Sequence, residues 1–99
     1  YTTNLKEEHS VPGGFTLGQN YPNPFNPVTT IKYNIPERGK IKLAVYNLLG
    51  QQVKVLFEGI KEKGAHTEVF NAAGLSSGVY FYVLTFGENS IQKKFVLLK

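Results

Sequence analysis

The stretch Asn20-Tyr-Pro-Asn-Pro-Phe-Asn-Pro27, running directly into Val28-Thr-Thr-Ile-Lys-Tyr-Asn-Ile35, decides how this chain is read. Three of its five prolines, Pro22, Pro24 and Pro27, fall here, alternating with asparagine and flanked by Tyr21 and Phe25. Proline fixes φ, removes a backbone donor and pushes the preceding residue toward extended conformations. Asn23 and Asn26 are therefore expected to be extended or turn-forming, with Tyr21 and Phe25 anchoring the segment onto a core. The period then changes. Ile31, Tyr33 and Ile35 fall on one face and Thr30, Lys32 and Asn34 on the other, the pattern of a half-buried strand. A stiff corner feeding a strand reads as a rigid loop packed on a β-sandwich.

Upstream, Phe15 and Leu17 follow a polar run over residues 1–14, which reads as a linker. Its opening Tyr1-Thr-Thr-Asn-Leu looks like a continuation of something longer. Downstream, Pro36-Glu-Arg-Gly39 is a turn, with Gly39 expected to supply a permissive backbone. Ile41, Leu43 and Val45 then alternate with Lys40, Lys42, Ala44 and Tyr46. Asn47-Leu-Leu-Gly50 is the next turn, residues 51–57 the next strand, and residues 59–64 a charged hairpin tip. In residues 65–70 the adjacent Val69 and Phe70 require one side chain to point away from the core, or a bulge. Residues 71–78 are a loop. Residues 79–86, Val-Tyr-Phe-Tyr-Val-Leu-Thr-Phe, are apolar on both faces and should be central. Residues 87–90 turn the chain and residues 91–98 close it. Short strands at roughly ten-residue spacing, with no helical period, predict an all-β fold: an antiparallel β-sandwich of about seven strands.

Composition excludes much chemistry. The 99 residues are 41% hydrophobic and 13% aromatic, enough for one domain with a core. No apolar run is long enough for a transmembrane helix, so no membrane span is expected, and the start does not read as a signal peptide. Without cysteine there are no disulfides, thiolate nucleophiles or thiolate zinc sites. All seven acids are Glu. A Ser-His-Asp triad cannot be built, and the oxygen clusters that calcium needs are not expected. The net charge of +4 is spread: Lys32, Lys40, Lys42 and Lys54 lie in strands, and Lys61 and Lys63 beside Glu58 and Glu62. Clustered Arg and Lys are lacking, so no nucleic acid partner is expected.

His9 and His66 are far apart, and His66 with Glu68 supplies only two ligands on one strand face. Ser76 and Ser77 before Gly78 lack the strand-turn-helix setting of a nucleophile elbow, and residues 74–78 lead into no helix that could receive a phosphate. Neither enzyme nor cofactor is expected. Tyr46, Tyr80 and Tyr82 could present a sugar platform, although such rings are more often core.

Four motifs taken together carry a resemblance. Asn20-Tyr-Pro-Asn-Pro-Phe-Asn-Pro-Val-Thr-Thr-Ile31, Leu43-Ala-Val-Tyr-Asn-Leu-Leu-Gly-Gln-Gln-Val53, Gly74-Leu-Ser-Ser-Gly-Val-Tyr-Phe-Tyr82 and Lys93-Lys-Phe-Val-Leu-Leu-Lys99 keep their order and spacing over about residues 15–99. This resembles the C-terminal sorting domain (type A) of proteins exported by the type IX secretion system. The resemblance implies an immunoglobulin-like sandwich, non-enzymatic, at the end of a larger secreted cargo protein. Its implied partners are the outer-membrane translocon, a sortase-like protease that removes the domain, and N-terminal cargo domains of the same chain. Its implied location is the cell surface or the medium, after passage through the periplasm. Where relatives often carry Asp, this chain has Asn47 and Asn71. The residues expected to carry motif and recognition roles are Tyr21, Pro22, Asn23, Pro24, Phe25, Asn26 and Pro27 in the corner, with Gly50, Gly78, Tyr80, Lys93, Lys94 and Lys99. The last strand is expected to be an edge with unpaired backbone groups, steered by its lysines onto a receptor. The alternatives are a structural immunoglobulin-like spacer, since similar motifs occur in a flagellar hook-capping protein, and a carbohydrate-binding module of a surface glycosidase.

Overall fold

Period-two alternation becomes seven strands in the computed structural model, which describes residues 13–99. They are β1 (Thr16–Leu17), β2 (Val28–Ile35), β3 (Gly39–Tyr46), β4 (Gln52–Lys61), β5 (Gly64–Asn71), β6 (Gly78–Phe86) and β7 (Asn89–Leu97). One sheet runs β1-β2-β5 and the other β4-β3-β6-β7, with every strand pair antiparallel. This is an immunoglobulin-like β-sandwich. Tyr80 supports that reading: early in β6, its Oη donates back to the carbonyl of Ser76 at 2.7 Å, the tie known as a tyrosine corner. The linker read over residues 1–14 lies outside the described residues as far as Pro12; Gly13 and Gly14 form a turn.

The inward faces of both sheets make the core. Ile31 and Ile35 from one sheet meet Leu43, Val45, Tyr82, Leu84, Phe95 and Leu97 from the other, all fully buried. Burying each such side chain contributes about 1.5–3 kcal/mol before entropy is charged against it. β6 lies between β3 and β7, as its apolar composition predicts. Val69 and Phe70 resolve without a bulge. The β2–β5 register is continuous, Phe70 is buried and Val69 points to solvent.

Three local expectations are corrected. Residues 59–64 are not a hairpin tip. β4 runs on to Lys61, and β5 then pairs with β2 in the opposite sheet, so Glu62 and Lys63 form a crossover corner. A short charged loop between two strands looks the same in sequence whether the strands pair or part. Second, the final turn is only Gly87 and Glu88, because Asn89 and Ser90 already pair with Phe86 and Thr85. Third, Gly39 is required for space rather than for a left-handed backbone: a Cβ there would stand 2.8 Å from the Phe86 ring.

Candidate recognition surface

The proline corner is bolted to both sheets. The peptide bonds preceding Pro22, Pro24 and Pro27 are cis. Tyr21 pairs through its backbone with Thr30, N to O at 2.9 Å and O to N at 3.0 Å, which ties the corner to β2. Phe25 is buried, its ring 5.0 Å from that of Phe95 and 6.2 Å from that of Phe70. The carbonyl of Pro27 accepts from Ala72 N at 2.8 Å. Phe25 is thus the anchor that the sequence predicts. Tyr21 is not: its side chain is 81% exposed, and only its backbone holds.

Asn20 and Thr29 are the buried polar residues of the described chain, and they satisfy one another. Asn20 Nδ2 donates to Thr29 Oγ1 at 3.0 Å and to the Pro22 carbonyl at 3.1 Å, which also accepts from Thr29 Oγ1 at 2.8 Å. The amide N of Asn20 donates to Tyr82 Oη at 2.8 Å, and that hydroxyl donates to Gly18 O at 2.7 Å. A core tyrosine of β6 therefore closes the loop that enters the corner. Burial pushes the Tyr82 phenol up to about 12, partly offset by the Asn20 N–H bond. Neither Asn20 nor Thr29 stands out in the sequence as a structural polar residue. A signal was present: alternation in β2 places Thr29 inward with Ile31, and a buried hydroxyl must find a partner.

The same corner covers the rim of β7. Gln19 Nε2 donates to Lys94 O at 2.7 Å, and Val96 N donates to Asn23 Oδ1 at 2.9 Å. Phe25 N donates to Val96 O at 3.1 Å and Leu98 N to Phe25 O at 3.0 Å, a parallel bridge between Phe25 and Leu97. The expectation of unpaired backbone groups along this strand is corrected from Lys94 O to Leu98 N, because the corner already occupies them. The three lysines are not brought together. Lys93 is half-buried on the inward face with Phe95, while Lys94 is exposed on the outer face opposite Phe81. Lys99 donates from its amide N to Ser77 Oγ at 3.0 Å and from Nζ to Ala73 O at 2.5 Å.

Gly50 takes φ +82°, which glycine alone adopts freely, and closes the turn after β3. Asn47 holds that turn: its Oδ1 accepts from Leu49 N at 2.9 Å and Gln51 N at 3.0 Å, and its Nδ2 donates to Gln51 Oε1 at 2.8 Å. A carboxylate could accept the first two bonds but not make the third. Asn71 Oδ1 likewise accepts from Ala73 N at 2.9 Å. Gly78, φ +151°, opens β6. Two residues on, the Tyr80 ring stacks on Phe95 at 5.4 Å. Asn26 and the remaining ring positions shape the corner's path without a side-chain hydrogen bond among the described residues.

Elsewhere the polar groups are committed to structure. Tyr33 Oη donates to Glu68 Oε2 at 2.9 Å, Lys61 Nζ stands 3.6 Å from the same oxygen, and His66 Nε2 lies 2.6 Å from Glu62 O. Burial and the Glu68 carboxylate push the Tyr33 phenol far above its ordinary range. Among the described residues no three His, Asp or Glu gather as metal ligands, and no helix is long and apolar enough to cross a membrane. Tyr80 and Tyr82 are buried, so neither ring is available to a sugar.

The family model described as a secretion system C-terminal sorting domain matches residues 19–98. That span runs from Gln19, which bonds the last strand, to Leu98, which bonds the corner. No curated protein matches the chain.

Proposed function

This chain belongs to the secretion system C-terminal sorting domain family, and from that membership we propose how it serves type IX secretion. As a sorting signal it implies a larger cargo and passage across the outer membrane to the cell surface or beyond. On our reading the folded unit over residues 15–99 is the label. The polar residues 1–14 are the linker in which a sortase-like protease cuts, and the cargo precedes them. The domain performs no catalysis; its work is to be read by the translocon.

One observation carries this reading: the family match begins and ends on two segments that bond to one another across the rim of β7. The two ends of the matched span thus meet along one strand edge. Neither alternative has comparable support, since the spacer gives no reason for the family match and the sugar platform loses Tyr80 and Tyr82 to the core. The test is a periplasmic reporter fused ahead of the 99-residue chain in a host carrying the secretion system. Surface delivery is expected. Retention in the periplasm, with the domain folded, overturns the proposal.

A further inference from the structure

β6 is apolar on both faces, yet only its inner face is fully buried; the outward Phe81 and Val83 are half-buried. Antiparallel sheets with one solvated face normally carry polar residues there. On the outer face of the four-stranded sheet, Phe81 stands opposite Tyr46, and Val83 opposite Ala44, which in turn faces Val55. Beside them the turn after β3 lifts Leu48 and Leu49 into solvent, 67% and 83% exposed. A cleft of about 370 Å³ lies between, with Tyr46, Leu48, Phe81 and Val83 in its walls. The turn cannot simply fold its leucines away, because Asn47 and Gly50 fix it with backbone and side-chain bonds. Exposed apolar surface on a rigid support marks a place where another molecule sits.

Charge selects the occupant. Gln92 lines the cleft on β7, and Lys94, the next outward position of that strand, lies across from Phe81; Lys40 and Lys42 share the outer face with Glu58 as its acid. Among the described residues no carboxylate lies within ion-pair distance of Lys94. A second copy would bring the same cations against themselves. A lipid surface would take up the protruding Leu48 and Leu49 but leave the recessed wall of Tyr46 and Phe81 uncovered, whereas a peptide segment covers both. We propose that this cleft docks an extended, apolar segment of a partner protein that carries a carboxylate opposite Lys94. Within the sorting role above, on which this last assignment rests, the partner is a component of the export machinery.

The peptide acetyl-Phe-Glu-Leu-Glu-Phe-amide serves as probe for the isotope-labelled 99-residue chain. Amide shifts are expected at Leu48, Leu49, Phe81, Val83 and Lys94, with affinity about tenfold lower for the peptide with Gln in place of Glu, and for Lys94→Glu. The variant Leu48→Ser/Leu49→Ser should keep its thermal midpoint and lose the shifts. Shifts elsewhere, or none at about 1 mM peptide, overturn the proposal. So does self-association that rises with concentration through this face, or binding to anionic phosphatidylglycerol vesicles that displaces the peptide. In the reporter assay, a wild-type fusion that is exported beside a folded double variant that is not places this cleft in sorting. Export of both refutes that placement and leaves the sorting role standing. Retention of the wild type itself refutes the sorting role, while the peptide shifts still decide the cleft.

Discussion

Tyr82 ties down the segment that enters the proline corner. Its hydroxyl accepts from Asn20 N and donates to Gly18 O, inside a residue that is otherwise fully buried. Tyr82→Phe leaves both backbone groups without their partner and should cost about 1–3 kcal/mol, read as a lower midpoint in urea at unchanged slope. An unchanged midpoint would mean that the bonds contribute nothing net. The phenol also sets a pH dependence. Its folded pKa of about 12 lies above the ordinary 10, so the folded state holds the proton more tightly than the unfolded chain. That contribution is complete below pH 10 and is lost as the pH rises from 10 toward 12. Tyr33, shifted in the same direction, adds to the loss. Tyr82→Phe should therefore flatten the alkaline decline in stability, and an equally steep decline would contradict the assignment. Gly39→Ala must displace the Phe86 ring, at about 1–3 kcal/mol. Pairing it with Phe86→Leu should recover part of that cost.

Among elements, the corner and β7 behave as one unit. Asn23→Ala removes the acceptor of Val96 N, a solvent-accessible bond, so global stability should change by about 1 kcal/mol or less while hydrogen exchange at Val96 speeds up. Phe25→Ala empties the space between Phe70 and Phe95 and should cost about 3–5 kcal/mol, with exchange rising at Leu98 as well. Unchanged protection at both amides would show that the rim is held by something other than the corner. The strands themselves were legible, because alternation such as Ile31, Tyr33, Ile35 follows from a pleat with one dry face. Sheet membership was not. Glu62 and Lys63 carry no mark that separates a hairpin from a crossover, and only the long-range pairing of β5 with β2 decides it. Local pattern predicted that Phe25 and Tyr21 would both anchor, yet one ring is buried and the other exposed, since neighbours in an irregular segment have no period to share.

At the scale of the molecule, the motif order in the sequence pointed to the family, while the geometry of its recognition surface stayed hidden. The four quoted motifs are distant in the chain, and their meeting along β7 and at the turn after β3 is a property of the sandwich alone. Strand alternation in the sequence already sets Lys93 and Lys94 on opposite faces, and they do face inward and outward; what it does not give is Lys99 turned toward the loop at Ala73. If they act separately in recognition, Lys94→Gln should lower reporter export more than Lys99→Gln, at equal thermal midpoints. Equal effects would return them to a common electrostatic role. The most direct test of the central claim is the location of a periplasmic reporter fused to this chain, in matched hosts with and without the type IX system. The account predicts the reporter at the surface or in the medium in the first host and in the periplasm in the second. The same distribution in both hosts would contradict it.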